Sequence, residues 1–259
     1  MKAQPSWGKW LESFDSDGVR RKLSELLQDK SSLGLRLTPA IELERALEER
    51  RRRPPLPTGL GALDRLQEGG LPRGSLIEVS GRRSSGRFAL ALAALAAATA
   101  AGEPAALVDP ADQLDPEGAR SAGVVLERLL WLRPDQPRQT LSCAEALLDA
   151  GFALVVLDLG EAPAARRAPQ AAWLRLARAA RAQHSVMLVV SAAPLCGTAA
   201  DAQLSAQKVR TLWDRKGPPL LSGIASSLSV RNRRRLGGPH RGLGAAPATD
   251  TLSLTGPAE

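Results

Sequence analysis

A glycine-rich segment in the first third of the chain has the spacing of a loop that binds phosphate. Gly81 and Gly86 are separated by four residues, after an apolar run at 75–80 and before an Ala/Leu-rich stretch. In the pattern G-x-x-x-x-G-K-[ST], the glycines let backbone N–H groups surround phosphate, the lysine reaches the terminal phosphates and the hydroxyl ligates Mg²⁺. The spacing predicts such a loop, and the alternative is a tight turn between a strand and a helix.

Two positions of this loop carry side chains that change its chemistry. Arg87 stands in the place of the lysine, and Phe88 in the place of the hydroxyl. A planar guanidinium can hold an anion, but not in the compact geometry of an ammonium group. A phenyl ring cannot ligate Mg²⁺, which requires oxygen ligands. We therefore expect a phosphate-type loop without its usual metal chemistry, and no metal site.

The segments around the loop alternate between apolar runs and Ala/Leu-rich helices. Strands are predicted at 75–80, 105–109, 153–158 and 186–191, and helices at 88–101, 119–130 and 169–183. This alternation predicts an α/β fold with a mostly parallel sheet covered by helices on both faces. Residues 220–230 are predicted to form an edge hairpin or a strand pair.

The chain is predicted to have three parts, which are an N-terminal helical arm (1–53), a core (54–236) and a flexible C-terminal tail (237–259). The prolines of the run 54–57 break the helix of the arm. The tail is rich in Gly, Pro, Ala and Thr, a composition typical of disorder. The apolar face of the arm has helical spacing and is formed by Val19, Leu23, Leu26 and Leu27.

Charge and composition exclude several classes of protein. The net charge is +8, and residues 160–259 alone carry +9, which predicts an acidic partner on that side. The two cysteines, Cys143 and Cys196, lie far apart and form no C-x-x-C pair, and the two histidines are isolated, so the ligand spacing of a Cys/His zinc site is absent from the sequence. The start lacks the apolar segment of a signal peptide, and the most apolar stretch, 88–101, is too short to span a bilayer. We expect a cytoplasmic protein that is associated with the nucleoid and not with a membrane.

From residue 58 to about residue 236 the sequence resembles the bacterial recombinase RecA. The resemblance is an ordered series of motifs at 58–64, 69–74, 77–81, 84–86, 108–116, 119–124, 154–158 and 230–233. It implies a RecA-like P-loop core, in which Asp158 ends the Walker B strand. The nucleotide-binding residues that it implies are Gly81, Ser84, Ser85, Gly86, Arg87 and Asp158.

The resemblance also implies that the ATPase chemistry has been lost. The glutamate that activates water in RecA corresponds to Ala111, and the tyrosine that stacks on adenine corresponds to Gly118. An Asn-Gln pair after the fourth strand is replaced within 191–194. We therefore expect a protein that is not an enzyme and has no cofactor, and in which residual ATP binding would not lead to hydrolysis.

Two lysines that reach the neighbouring nucleotide in RecA filaments correspond to Arg231 and Arg233, so positive charge is retained there. The contacts predicted for DNA phosphates or for a subunit interface are Arg231, Arg233, Arg234 and Arg235. A solvated basic run explains these arginines equally well.

The overall plan resembles the ImuA family, because a RecA-like core with an altered nucleotide site and a short arm is not followed by RecA's DNA-capturing domain. ImuA accompanies ImuB and an error-prone polymerase in mutagenic DNA repair within the SOS response. The resemblance implies a non-catalytic accessory protein that binds RecA, ImuB or a translesion polymerase subunit, with weak non-specific DNA binding. The alternatives are a DNA-dependent ATPase of the RecA family and a simple DNA-binding module. For the arm, the alternative to docking on a partner is that it packs only on its own core or makes a homodimer.

Overall fold

The computed structural model describes residues 48–49, 53–161, 168–214, 220–233 and 249–255. The residues from Arg53 onward belong to one compact unit. Several predicted residues lie outside the described part of the chain, namely Val19, Leu23, Leu26, Leu27, Arg234 and Arg235. The predictions made for the arm and for these two arginines therefore remain predictions.

Helices and strands alternate through the first two thirds of the described chain. The helices are α1 (Gly61–Leu66), α2 (Arg87–Ala100), α3 (Pro116–Ser121), α4 (Pro137–Asp149) and α5 (Gln170–Gln183), with short 3₁₀ turns at Leu126–Arg128 and Gly197–Ala199. The strands are β1 (Ser75–Ser80), β2 (Ala105–Val108), β3 (Leu129–Leu132), β4 (Leu154–Gly160), β5 (Val186–Ser191), β6 (Ala202–Asp214), β7 (Leu220–Arg233) and β8 (Thr249–Thr255).

The strands form one eight-stranded sheet in the order β3-β2-β4-β5-β1-β6-β7-β8. In the sheet, β3, β2, β4, β5, β1 and β6 pair with one another in parallel. β7 pairs antiparallel with β6, and β8 pairs antiparallel with β7. β1 lies between β5 and β6, both of which come much later in the chain. The prediction of an α/β fold with a mostly parallel sheet is confirmed.

Helices cover both faces of the parallel strands. Successive side chains of a strand point to opposite faces, so Ile77 belongs to the core under α2 and Leu76 to the core that includes Trp173 of α5. Every residue of β1, β2 and β5 is buried. Burial on both faces explains why these strands are continuous apolar runs and do not alternate with polar residues.

The predicted helix at 119–130 is wrong beyond Ser121, where helix α3 ends. Helix α3 ends before Gly123, which has a φ of +94°. The N–H of Val124 donates to Ala119 O and the N–H of Gly123 to Arg120 O, a pattern that closes a helix on a left-handed glycine. The chain then enters strand β3, which pairs with β2. Sequence reasoning also missed α4 and β6.

The C-terminal third differs from the prediction in two ways. Residues 220–230 belong to one strand, β7, which lies between β6 and β8 and is neither a hairpin nor an edge. Within the tail predicted to be flexible, Thr249–Thr255 form β8 and pair with β7 over Gly223–Ser229. In β8, Thr and Ser residues at 249, 251, 253 and 255 alternate with Asp250, Leu252 and Leu254, and this β-pattern outweighs the Gly- and Pro-rich composition of the region. Among the described residues, no helix is long and apolar enough to cross a membrane.

Candidate functional site

The predicted phosphate loop connects β1 to α2 in the expected strand–loop–helix arrangement. Gly86 has a φ of +85° and immediately precedes the helix. A Cβ atom on Gly81 would lie 2.4 Å from Ser85 Oγ and 2.5 Å from Ala206 O, so only glycine fits there. The N–H of Gly81 donates to Ser191 O on β5. The loop is therefore held between strands β5 and β6.

The guanidinium of Arg87 turns back onto the loop. One terminal nitrogen donates to Gly81 O and the other lies 3.3 Å from Glu161 Oε1. The residue is only 9% exposed. Both terminal nitrogens are thus bonded to this chain's own oxygens.

The other loop residues contribute little that could bind a metal. Phe88 is half-buried and packs against the core cluster on the α2 face. Ser84 is exposed with a φ of +58°. Ser85 is buried, its carbonyl accepts a hydrogen bond from Ser226 Oγ at 2.7 Å, and its Oγ has no partner within the described part of the chain. Ser226 belongs to β7, so the loop is also attached to the antiparallel strands.

Two buried aspartates end neighbouring strands near the loop. Asp158 lies near the end of β4, and its Oδ1 accepts the N–H of Gly160 at 2.9 Å. Burial raises the pKa of Asp158, the Gly160 N–H and the charge of Arg87 oppose that rise, and the charge of Asp109 adds to it. Asp109 follows β2 and is fully buried. The carboxyl ends of adjacent parallel strands meet at one edge of a sheet. The two acids are therefore close enough for the charge of Asp109 to affect the pKa of Asp158.

Asp109 is a site residue that sequence reasoning did not select. Asp109, Asp112 and Asp115 lie close together in the sequence after β2, but the three carboxylates have separate roles. Asp109 Oδ2 accepts from Gln113 N, Leu114 N and Trp131 Nε1. Asp115 caps α3, and Asp112 pairs with Arg133. No group of metal-ligating side chains occurs among the described residues.

Glu78 is a second buried acid that the sequence analysis did not identify. It lies in the centre of β1 and is fully buried. Its Oε1 accepts from Leu195 N and from Cys196 N, and its Oε2 accepts from Gln203 Nε2 at 3.1 Å. These bonds shape the segment after β5, beside the loop. The signal that could have identified Glu78 is a single acid among the apolar residues of a predicted buried strand.

The remaining predicted positions do not gather around the loop. Ala111 and Gly118 are exposed and supply no acid and no stacking ring. Ser191 Oγ donates to Ala193 O within its own turn. Arg231 is exposed near the end of β7, and Arg233 is the last residue of that strand. The structure thus brings together the loop residues with Asp158, and adds Glu161 and Ser226.

The donor set around the loop does not fit a nucleotide bound with Mg²⁺. The position that should supply a hydroxyl is the phenyl ring of Phe88, and the cation that should contact phosphate is bonded to Gly81 O and Glu161. Of the two buried aspartates near the loop, Asp109 accepts three hydrogen bonds from the chain itself, and Asp158 has a raised pKa because it is buried. A Mg²⁺ site requires several oxygen ligands in octahedral geometry.

The chain is similar in sequence to RecA proteins over part of its length. Residues 47–170 match the family described as the RecA N-terminal domain. Protein RecA of Mycobacterium marinum (strain ATCC BAA-535 / M) is 47% identical over 105 residues, which are 40% of this chain and 30% of that protein. Protein RecA of Clavibacter michiganensis subsp. michiganensis (strain NCPPB 382) is 46% identical over the same length, with 29% of that protein covered. The chain therefore spans about 30% of the length of these curated relatives.

The fold is similar to a solved recombinase structure. The crystal structure of the RadB recombinase aligns with a TM-score of 0.52 at 23% identity, covering 69% of this chain and 90% of that chain. At this level of identity the likeness concerns the fold alone.

Proposed function

Since this chain carries a RecA-like fold and is related to the RecA-like recombinase superfamily through residues 47–170, we propose that it is a non-catalytic accessory protein of the bacterial DNA damage response. It recruits or modulates RecA, or a translesion polymerase complex that contains ImuB. The observation that carries the proposal is the engagement of Arg87 with Gly81 O and Glu161 inside the phosphate loop.

Each element of phosphoryl transfer is affected separately. Transfer requires a cation and a metal on the phosphates and a group that orients water. Here the loop cation is bonded internally, the metal-ligand position is Phe88, and the position of the water-activating acid is Ala111. One compensating residue cannot replace three functions, so the proposed protein does not turn over ATP.

An ATP hydrolysis assay with single-stranded DNA separates this proposal from the DNA-dependent ATPase. We expect no hydrolysis above that of a matched variant, Asp158→Ala. A triple variant, Arg87→Lys with Phe88→Thr and Ala111→Glu, is a second comparison, because it restores the pattern at these positions. Hydrolysis by the wild-type protein that Asp158→Ala abolishes would overturn the proposal.

The partner is expected to contact the helical arm. Leu23→Asp with Leu27→Asp should abolish binding to purified RecA and to ImuB, whereas the core keeps its thermal unfolding transition. The matched control is Arg20→Asp with Arg21→Asp, which changes charge without removing apolar side chains. Normal partner binding by the leucine variant would mean that the arm packs on its own core or makes a homodimer.

Weak DNA binding is part of the same proposal. Phosphate contacts from Arg231, Arg233, Arg234 and Arg235 should be independent of sequence and should weaken as salt rises. Reversing Arg231 and Arg233 should lower DNA affinity and flatten its salt dependence. If both quantities stay unchanged, the basic run is a solvated surface. If DNA binding is tight and no protein partner binds, the chain is a DNA-binding module instead.

A further inference from the structure

The outer part of β6 has an open edge. β1 pairs with β6 only from Ala202 to Ser205, whereas β7 pairs with β6 as far as Asp214. Within the described part of the chain, residues 207–214 therefore have no strand on the side away from β7. The backbone N–H and C=O groups on an open edge can pair with another strand.

Apolar side chains on this edge are exposed. Val209 is 58% exposed and Trp213 is 50% exposed. The indole Nε1–H of Trp213 donates to Thr211 Oγ1 at 3.0 Å, which fixes the ring on the same face as Thr211. Val209 lies where the register with β7 shifts between Lys208 and Arg210, and such bulges re-aim side chains. An oriented, exposed tryptophan is typical of the residues that dominate binding at protein interfaces.

The charge of the edge selects the kind of strand that can pair with it. Lys208 and Arg210 are exposed on it, and the sequence continues with Arg215 and Lys216 against the single acid Asp214. Lysine and a bulge on an edge strand are devices that prevent indiscriminate pairing. They disfavour pairing with the same edge of a second copy of this chain, because the same cations would meet each other. An acidic strand is attracted instead.

We propose that the edge of β6 at residues 207–214 accepts an extended acidic segment of another protein as an added strand. Backbone hydrogen bonds supply affinity in such strand addition, and alternating side chains supply specificity. Lys208 and Arg210 pair with acidic side chains of the segment, and Trp213 covers an apolar one. This surface differs from the arm and from the basic run, so the inference goes beyond the proposed function and does not depend on it.

The test begins with a phage library of random 12-residue peptides selected on the full-length protein. We expect enrichment of peptides with a net negative charge and an apolar residue between acidic ones. A synthetic copy of the enriched peptide is then titrated by fluorescence anisotropy. Amide hydrogen exchange should show protection at residues 207–213 when the peptide is bound.

Matched variants separate the edge from general electrostatic attraction. Lys208→Glu with Arg210→Glu, and separately Trp213→Ala, should each weaken peptide binding at least tenfold. The control is Arg120→Glu with Arg178→Glu, which reverses two exposed arginines elsewhere and should change the affinity less than twofold. Circular dichroism and thermal unfolding verify that each variant is folded. A peptide with N-methyl groups on alternate residues, which cannot complete a strand ladder, should lose binding.

Four outcomes would overturn the inference. These are selection without enrichment, enriched peptides without acidic residues, binding that survives the Lys208/Arg210 and Trp213 variants, and equal binding of the N-methylated peptide. Displacement of the peptide by a dT oligonucleotide without protection of residues 207–213 would assign the basic edge to nucleic acid.

Discussion

The two halves of the sheet are built on different principles although they form one row of strands. In the parallel half, β2, β4, β5 and β1 are buried on both faces under helices. In the antiparallel half, the outer part of β6 exposes side chains on an open edge. The phosphate loop lies at the junction, because Gly81 bonds to Ser191 of β5 and Ser85 accepts from Ser226 of β7. Thus the parallel half determines where the site lies, and the antiparallel half borders it and leaves side chains exposed.

The sharpest test of this comparison removes equivalent leucines from the two halves. Leu157→Ala in β4 should lower the free energy of unfolding by about 3 kcal/mol, since the side chain is fully buried and a cavity remains. Leu212→Ala in β6 should lower it by less than about 1 kcal/mol, because that side chain is only half-buried. Urea unfolding followed by circular dichroism measures both. Equal losses of unfolding free energy would mean that the outer part of β6 is packed as tightly as the core.

A second test removes the side chain of Arg87, which bonds to the loop. Arg87→Ala should destabilise the protein by about 2 kcal/mol, because a nearly buried charged hydrogen bond to Gly81 O is lost. Arg82→Ala, in the same loop but exposed, is the control and should have almost no effect. If the two variants are equally stable, the contacts of Arg87 do not hold the loop.

A third test measures the connection between the two halves. Ser226→Ala removes the hydrogen bond to Ser85 O and should lower the free energy of unfolding by about 1 kcal/mol. Combined with Arg87→Ala in a double-mutant cycle, it should show a coupling of at least about 0.5 kcal/mol, because both residues hold the same loop. Simple additivity would show that β7 and the α2 end of the loop act independently.

The smallest expected effect is a pH dependence at Asp158. Burial raises the pKa of Asp158 above its ordinary value, so ionisation favours the unfolded state, and stability falls as pH rises through the folded-state pKa. Asp158→Asn should therefore be more stable than the wild type at pH 7. The difference should vanish below the ordinary aspartate pKa of about 3.9, where both forms are neutral. Thermal unfolding at several pH values measures it, and a constant difference would contradict the raised pKa.

Sequence reasoning succeeded for four strands of the parallel half and failed for β3, part of which was predicted to be helical, and for β6. Continuous apolar runs predicted β1, β2, β4 and β5, because strands buried on both faces need no polar alternation. β6 was missed, since its mixture of Lys, Arg, Thr and Trp gives no clean apolar pattern. At the site, the glycine spacing predicted the loop, but no spacing could show that Glu161 and Ser226 contact it.

The central position of β1 has a consequence for synthesis on the ribosome. The N–H of Leu76 donates to Asp201, 125 residues later in the chain, and both neighbours of β1 are made after β4. At 5–20 residues per second, β1 must wait roughly 6 to 25 s for the segment that completes its pairing. During that time its apolar residues are available to chaperones or to other nascent chains. We therefore expect the yield of folded protein to depend on chaperones that bind nascent chains. This dependence should be stronger than for a chain whose first strand pairs with its second.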